Sequence, residues 1–169
     1  MAEFALKIAL ILLPLYITNA CAMFFAGEKT LDLGKKLWGR QLLGGGKTFR
    51  GTFLGLVCGM LSGFILEVAL PETTAEIAPE FFAFAAMLSL GAIMGDLAAS
   101  FLKRRLGIER GKPVLFLDQL DFVAGGIIFG YWIYQPGIPE MIAMAVVTIA
   151  AHRIANFIAF KIKIKKVPW

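Results

Sequence analysis

One histidine, His152, and two cysteines, Cys21 and Cys58, are all that the 169 residues offer of the softer metal ligands. A histidine-rich zinc site is therefore excluded. Both cysteines fall inside long apolar runs, where a thiol behaves as a small apolar filler, so neither a disulfide framework nor a thiolate metal site is expected. Charge is scarce as well. Only 17% of residues are charged, and stretches 67–80 and 135–140 contain five glutamates but no lysine or arginine. No repeat, low-complexity tract or tag interrupts the chain. What is there is apolar: 59% of residues are hydrophobic and mean hydropathy is +0.76. A soluble domain of this length cannot hide so much apolar surface.

The apolar residues come in blocks. A helix needs about 20 mostly apolar residues to cross a hydrocarbon core of roughly 30 Å. Five stretches qualify, at about 5–26, 52–70, 81–102, 117–134 and 139–160. Lys7 is a lone charge before the first run and four further spans follow, so that run reads as a span and not as a secretory signal. The expected fold is an all-α integral membrane protein, a single domain of five transmembrane helices over 1–169.

Orientation follows from the cations. Segment 27–51 holds Lys29, Lys35, Lys36, Arg40, Lys47 and Arg50, and the end of span 3 with loop 103–116 holds Lys103, Arg104, Arg105, Arg110 and Lys112. The last span and tail carry Arg153, Lys161, Lys163, Lys165 and Lys166, and with Lys7 these are all 17 basic residues. The positive-inside rule then predicts the N-terminus outside, with both basic loops and the tail in the cytoplasm. The tail alternates Lys with Ile and ends in Trp169, a pattern suited to anionic headgroups.

Ionisable groups at membrane depth are costly and usually mark function. Asp96 lies in the inner half of span 3 on one face with Ser100 and Lys103, and Arg104 is beside them. Asp118 and Asp121 open span 4 at i, i+3, and Gly125 and Gly126 follow, residues that allow close helix approach. Carboxylates at a helix start are favoured by its dipole alone, and Asp96 with Lys103 would also make a structural pair. Three acids at one end of a bundle, beside so many loop cations, are better explained by Mg²⁺ bound with a polyphosphate. That ion takes one or two carboxylates plus phosphate oxygens and water.

The first basic loop runs Gly39-Arg40-Gln41-Leu42-Leu43-Gly44-Gly45-Gly46-Lys47-Thr48-Phe49-Arg50-Gly51. It is not a Walker A loop, because Gln41 stands where the first glycine is required and no parallel sheet is available. Glycine amides beside Lys47 and Arg50 still suit an anion at the start of span 2. Asn19, Asp32, His152 and Asn156 are weaker candidates, the last two at i, i+4 on span 5 where hydrogen bonds between helices would explain them.

These residues resemble a family. Ser100, Lys103, Arg104, Asp118 and Asp121 match the signature of the CTP-dependent phosphatidate cytidylyltransferases, the CDP-diacylglycerol synthases, and Gly95-Asp96 and Gly46-Lys47-Thr48 are similar to its upstream elements. Glu109-Arg110 and Gln119 depart from that signature, its His-Gly-Gly stretch is missing, and the chain spans only about the C-terminal half of those enzymes. The archaeal branch, the CDP-archaeol synthases, is more similar over nearly the full length. The matching elements are Tyr16 to Asn19-Ala20, Asp32-x-Gly34, Gly44-x-Gly46-Lys47-Thr48-x-Arg50-Gly51, Gly95-Asp96, Lys103-Arg104-Arg105-x-Gly107 and Leu117-Asp118-Gln119-Leu120-Asp121-Phe122.

The resemblance implies an enzyme that joins CTP to a digeranylgeranylglyceryl phosphate, releasing pyrophosphate and a CDP-activated lipid. It implies Mg²⁺ on Asp118, Asp121 and Asp96. Gly44, Gly46, Lys47, Thr48, Arg50 and Asn19 would serve the nucleotide, and Lys103, Arg104 and Lys112 the pyrophosphate or the lipid phosphate. The expected partners are CTP, the prenylated lipid and the membrane, with no nucleic acid. A small transporter would also carry intramembrane carboxylates, but it would not need the glycine-lysine loop. A CDP-alcohol phosphotransferase would show a different acidic motif, which is missing here.

Overall fold

The computed structural model describes residues 1–109, 112 and 114–163. Arg110, Lys165, Lys166 and Trp169, named above for their charge or their place in the tail, lie outside the described residues. Element order is α1 (Ala2–Phe24), β1 (Lys36–Leu37), β2 (Arg40–Gln41), α2 (Phe49–Ala69), α3 (Pro71–Ala75), α4 (Phe81–Arg105), α5 (Leu117–Gly130) and α6 (Ile138–Lys161). Among the described residues four helices, α1, α2, α4 and α6, are long and apolar enough to cross a membrane.

The expected helical span over 117–134 is shorter than its hydropathy suggests. α5 has 14 residues and gives way to a turn after Gly130, so at 1.5 Å per residue it is about 21 Å long. Hydropathy continues through Trp132 and Ile133, but the backbone does not remain helical. A second departure from an all-α chain is the small antiparallel hairpin β1–β2, with Lys36 opposite Gln41 and Leu37 opposite Arg40.

Helix pairs α4–α5 and α1–α2 pack most extensively, whereas α6 rests lightly, mainly on α5 and α1. Small residues are the reason. A Cβ placed on Gly91 would stand 2.3 Å from the Gly125 carbonyl oxygen, and one on Gly95 would stand 2.1 Å from that of Asp121. The α4 and α5 backbones therefore touch directly, as small-residue helix contacts in membranes do. The buried core around this contact combines Ile8, Ile11 and Leu15 of α1, Phe84 and Leu88 of α4, Phe122 of α5 and Met144 of α6.

At one end of the bundle Lys7 lies 2.9 Å from Glu140, and its ammonium sits over the Tyr134 ring at 4.8 Å. The Tyr134 hydroxyl donates to Glu140 at 2.6 Å, and the Gly137 amide donates to it at 2.8 Å. This clasp joins the starts of α1 and α6 and satisfies a charge that would be costly alone at that depth. The polar site lies at the opposite end.

Candidate active site

Each carboxylate of the site is placed by the glycine contact between α4 and α5. Asp96 follows Gly95 on α4, and Asp121 is the α5 residue whose carbonyl that glycine approaches. Asp118 stands one turn earlier, behind a sharp bend at Phe116, where φ is +66°. The charges of Asp96, Lys47 and Asp118 all act on Asp121. The three predicted acids are thus brought together.

Their lysine partners differ from the same-face expectation. Asp96 binds Lys47, whose ammonium donates to both of its carboxylate oxygens. Lys103 reaches across to Asp118 instead, Nζ to Oδ1 at 2.6 Å. Helical spacing along α4 suggested an Asp96–Lys103 pair, but the close approach of α5 offers Lys103 a nearer acid. The other Asp118 oxygen accepts the Val114 amide at 3.0 Å, which fixes its rotamer. The Asp121 Oδ1 atom accepts the amide of Phe122 at 2.7 Å.

Lys47 is held in place by the fold of its loop. Asp32, almost fully buried, accepts the amides of Leu43 and Gly44 on one oxygen and of Gly34 on the other, at 3.0, 3.2 and 3.0 Å. Burial alone would raise its pKa. The amides of Leu43, Gly34 and Gly44 and the Thr30 hydroxyl outweigh that and hold it below the ordinary 3.8. Gly44, at φ +89°, turns the chain there. Thr48 caps α2, its buried hydroxyl accepting the Gly51 and Gly27 amides. The amide of Gly44 and the hydroxyl of Thr48 are therefore engaged in shaping the loop that presents Lys47, and Gly46 is exposed beside it.

Arg105 anchors the hairpin to the end of α4. Its guanidinium donates to the carbonyls of Leu37, Arg40 and Gln41, and Arg40 returns a bond to the Arg105 carbonyl at 3.2 Å. Sequence reasoning gave Arg105 a charge and a place in a matching motif but no partner, because nothing in the local pattern shows that three carbonyls await it. Arg104 lies against Gly44. Its Nε, and Oε1 of Gln119, are buried without a hydrogen-bond partner among the described residues.

The remaining candidates lie outside this cluster. Lys112 pairs with Glu109 at 3.0 Å, both well exposed. Arg50 and Lys29 border a surface hollow of about 690 Å³. Asn19 is half-buried on α1. The His152 ring lies 5.9 Å from that of Phe122, centre to centre. No group of three or more acidic, histidine or cysteine side chains able to hold a metal is found among the described residues.

A second, apolar space runs between α1 and α6 from the clasp end towards the middle of the bundle. Phe4, Ile8, Leu12 and Tyr16 of α1 face Ala143 and Val147 of α6 across a groove of about 380 Å³. It ends where Tyr16 donates to the Thr148 hydroxyl at 3.0 Å. The Tyr16 ring also lies 5.6 Å from that of Phe122, the neighbour of Asp121.

The chain resembles known proteins along its whole length. A family model described as CarS-like, CDP-archaeol synthase, matches residues 1–169. CDP-archaeol synthase of Methanocaldococcus jannaschii is 42% identical, covering 94% of this chain and 93% of that protein. Those of Methanopyrus kandleri and Pyrococcus horikoshii are 42% and 39% identical, each over 94% of this chain, covering 90% and 93% of those proteins. A solved structure described as an intramembrane enzyme for archaeal membrane lipids biosynthesis superposes with a TM-score of 0.80 at 35% identity, covering 88% of this chain and 91% of that one. The chain is a membrane protein of the CDP-archaeol synthase family.

Proposed function

We propose that this protein is a nucleotidyltransferase that transfers the cytidylyl group of CTP to a prenylated glycerol phosphate. A lipid phosphate oxygen attacks the α-phosphorus of CTP, the bond to the β-phosphate breaks, and pyrophosphate leaves. The observation that carries this reading is the meeting of Asp96, Asp118 and Asp121 with Lys47 and Lys103 at one end of an apolar bundle. Family membership leaves the transporter reading without support.

The donor set fits Mg²⁺ bound together with phosphates. The three acids share the mouth without forming a ready three-carboxylate metal site, and two are already paired with lysine. Such an ion, however, needs only one or two protein carboxylates when phosphates and water complete its shell. Asp118, Asp121 and Asp96 would hold it, and when bound it would neutralise charge on the phosphates. The lysines then have a second use. Lys47 and Lys103 can pass from carboxylate to phosphate oxygens when the nucleotide arrives, which positions the reactants and stabilises the transition state. A lipid phosphate is already ionised at neutral pH, so the step needs no strong base. Thr48, Gly44 and Asp32 serve as positioning residues for Lys47, and Arg50, Arg104, Lys112 and Asn19 are second-rank candidates for phosphate or ribose contacts.

Five crossings remain our reading of the topology. Asp121 sits at the mouth and Tyr134 joins the Lys7 clasp, so the chain from 117 to 134 traverses the bundle as α5 plus the following turn. The charge asymmetry puts the N-terminus outside and the mouth in the cytoplasm of the cell membrane, where CTP is found. The apolar groove between α1 and α6, which ends at Tyr16 beside Phe122, suits a prenyl chain.

Pyrophosphate release by purified protein with CTP, Mg²⁺ and a digeranylgeranylglyceryl phosphate tests the reading. Turnover is expected with the lipid and little with glycerol phosphate lacking chains. No release with the full lipid would sink it.

A further inference from the structure

The hairpin that Arg105 holds is shaped in a way the reaction does not need. Its turn places Trp38 at φ +51° and Gly39 at φ +76°. A left-handed backbone is rare for a bulky residue and common for the glycine after it. The result is a tryptophan at the tip, 82% exposed, with Lys35 and Lys36 exposed just before it. Strands of two residues are too short to be stable alone, so the three carbonyl bonds from Arg105 fix where this tip points.

They fix its height too. The Arg105 guanidinium lies 5.7 Å from the Trp38 ring centre and 5.2 Å from that of Phe101. Phe101 belongs to the last turns of α4, where Leu102 and Leu106 also face outward. Trp38 therefore stands level with the end of an apolar helix and not out in free solution. Tryptophan is enriched at that depth, where its ring meets the headgroup layer. Lysines beside it add attraction to anionic lipid.

We propose that the hairpin tip, with Trp38 flanked by Lys35 and Lys36 and braced by Arg105, is an anchor seated in the anionic headgroup layer at the mouth end of α4. The occupant of this surface is bulk anionic phospholipid. The anchor fixes the loop carrying Asp32 and Lys47 against the bilayer, and it does not depend on the proposed reaction.

The test uses the full-length protein with Trp132→Phe and Trp169→Phe, so that Trp38 alone emits, in nanodiscs of neutral or partly anionic lipid. Lipids brominated near the carbonyl end of their chains should quench Trp38, more strongly in the anionic discs. Lys35→Glu with Lys36→Glu should lower the ratio of seated to free tip roughly tenfold in anionic discs, and leave neutral discs unchanged, because each basic residue near a charged surface contributes a few-fold. Water-like emission without bromine quenching in every disc would overturn the proposal, whether the tip then stays in water or waits for a protein partner. Quenching indifferent to lipid charge and to the lysine changes would overturn its anionic half.

Discussion

Asp118 and Asp121 differ in their surroundings, yet the same substitution tests both. Asp118 is fixed by Lys103 and the Val114 amide, whereas Asp121 has no ion pair among the described residues and feels two neighbouring carboxylates. Asparagine keeps the shape of each and removes the charge that a cation or an ammonium group would meet. Asp118→Asn and Asp121→Asn are each expected to lower turnover by about 10²–10³ or more, the scale set by losing one preorganised electrostatic group. The thermal midpoint in detergent should stay nearly unchanged in Asp121→Asn and fall somewhat in Asp118→Asn, which loses its Lys103 pair, with both proteins still folded. Near-normal pyrophosphate release in either would remove that residue from the site. Asp32 is predicted to behave in the opposite way. Asp32→Asn replaces a carboxylate oxygen facing backbone amides by an NH₂ group or a single acceptor, at a cost of about 1–3 kcal/mol. The folded protein holds this carboxyl below 3.8, so its stabilisation is complete above that value and is lost as pH falls through the lowered one. Melting of the two proteins should accordingly differ at neutral pH and converge in acid.

At the scale of elements, the α4–α5 contact decides where the acids meet. A methyl group on Gly95 would have to displace the Asp121 carbonyl, and one on Gly125 would meet the Gly91 oxygen at 2.2 Å. Gly95→Ala and Gly125→Ala should each cost about 1–3 kcal/mol through overpacking. Gly95→Ala should also lower kcat, because it shifts Asp121 itself. Gly137→Ala, where the nearest atom stands at 3.6 Å, is the control and should melt like the parent. This contact also explains what the sequence could and could not reveal. Long apolar runs made four spanning helices legible to within a few residues, and ionisable residues inside them exposed Asp96, Asp118 and Asp121. The pairing of Lys47 with Asp96 and of Lys103 with Asp118 was hidden, because it depends on the register of α5 against α4. The hairpin was hidden for a different reason: two-residue strands have no periodicity to read. The early end of α5 was hidden because apolar residues continue into the turn that the Tyr134 amide closes on the Gly130 carbonyl.

For the molecule as a whole, the proposed orientation has a direct check. In protein lacking Cys21 and Cys58, a new thiol at Glu76 should react with an impermeant maleimide from outside right-side-out vesicles. A thiol at Glu28, on the loop that carries Lys47, should react only after permeabilisation. Both positions are exposed, so access and not burial determines the outcome. The reverse pattern would turn the proposed topology over and place the mouth on the wrong side for cellular CTP.

The clasp of Lys7, Tyr134 and Glu140 bears on how the chain is made. Lys7 enters the bilayer with the first helix, but Glu140 is synthesised more than 130 residues later, on the order of ten seconds at about 5–20 residues per second. Until then the ammonium group lacks its carboxylate partner, although α1 already has α2 and α4 to pack against. The first helix made thus gains its ion pair from the last one, which makes the clasp a mark of completed assembly.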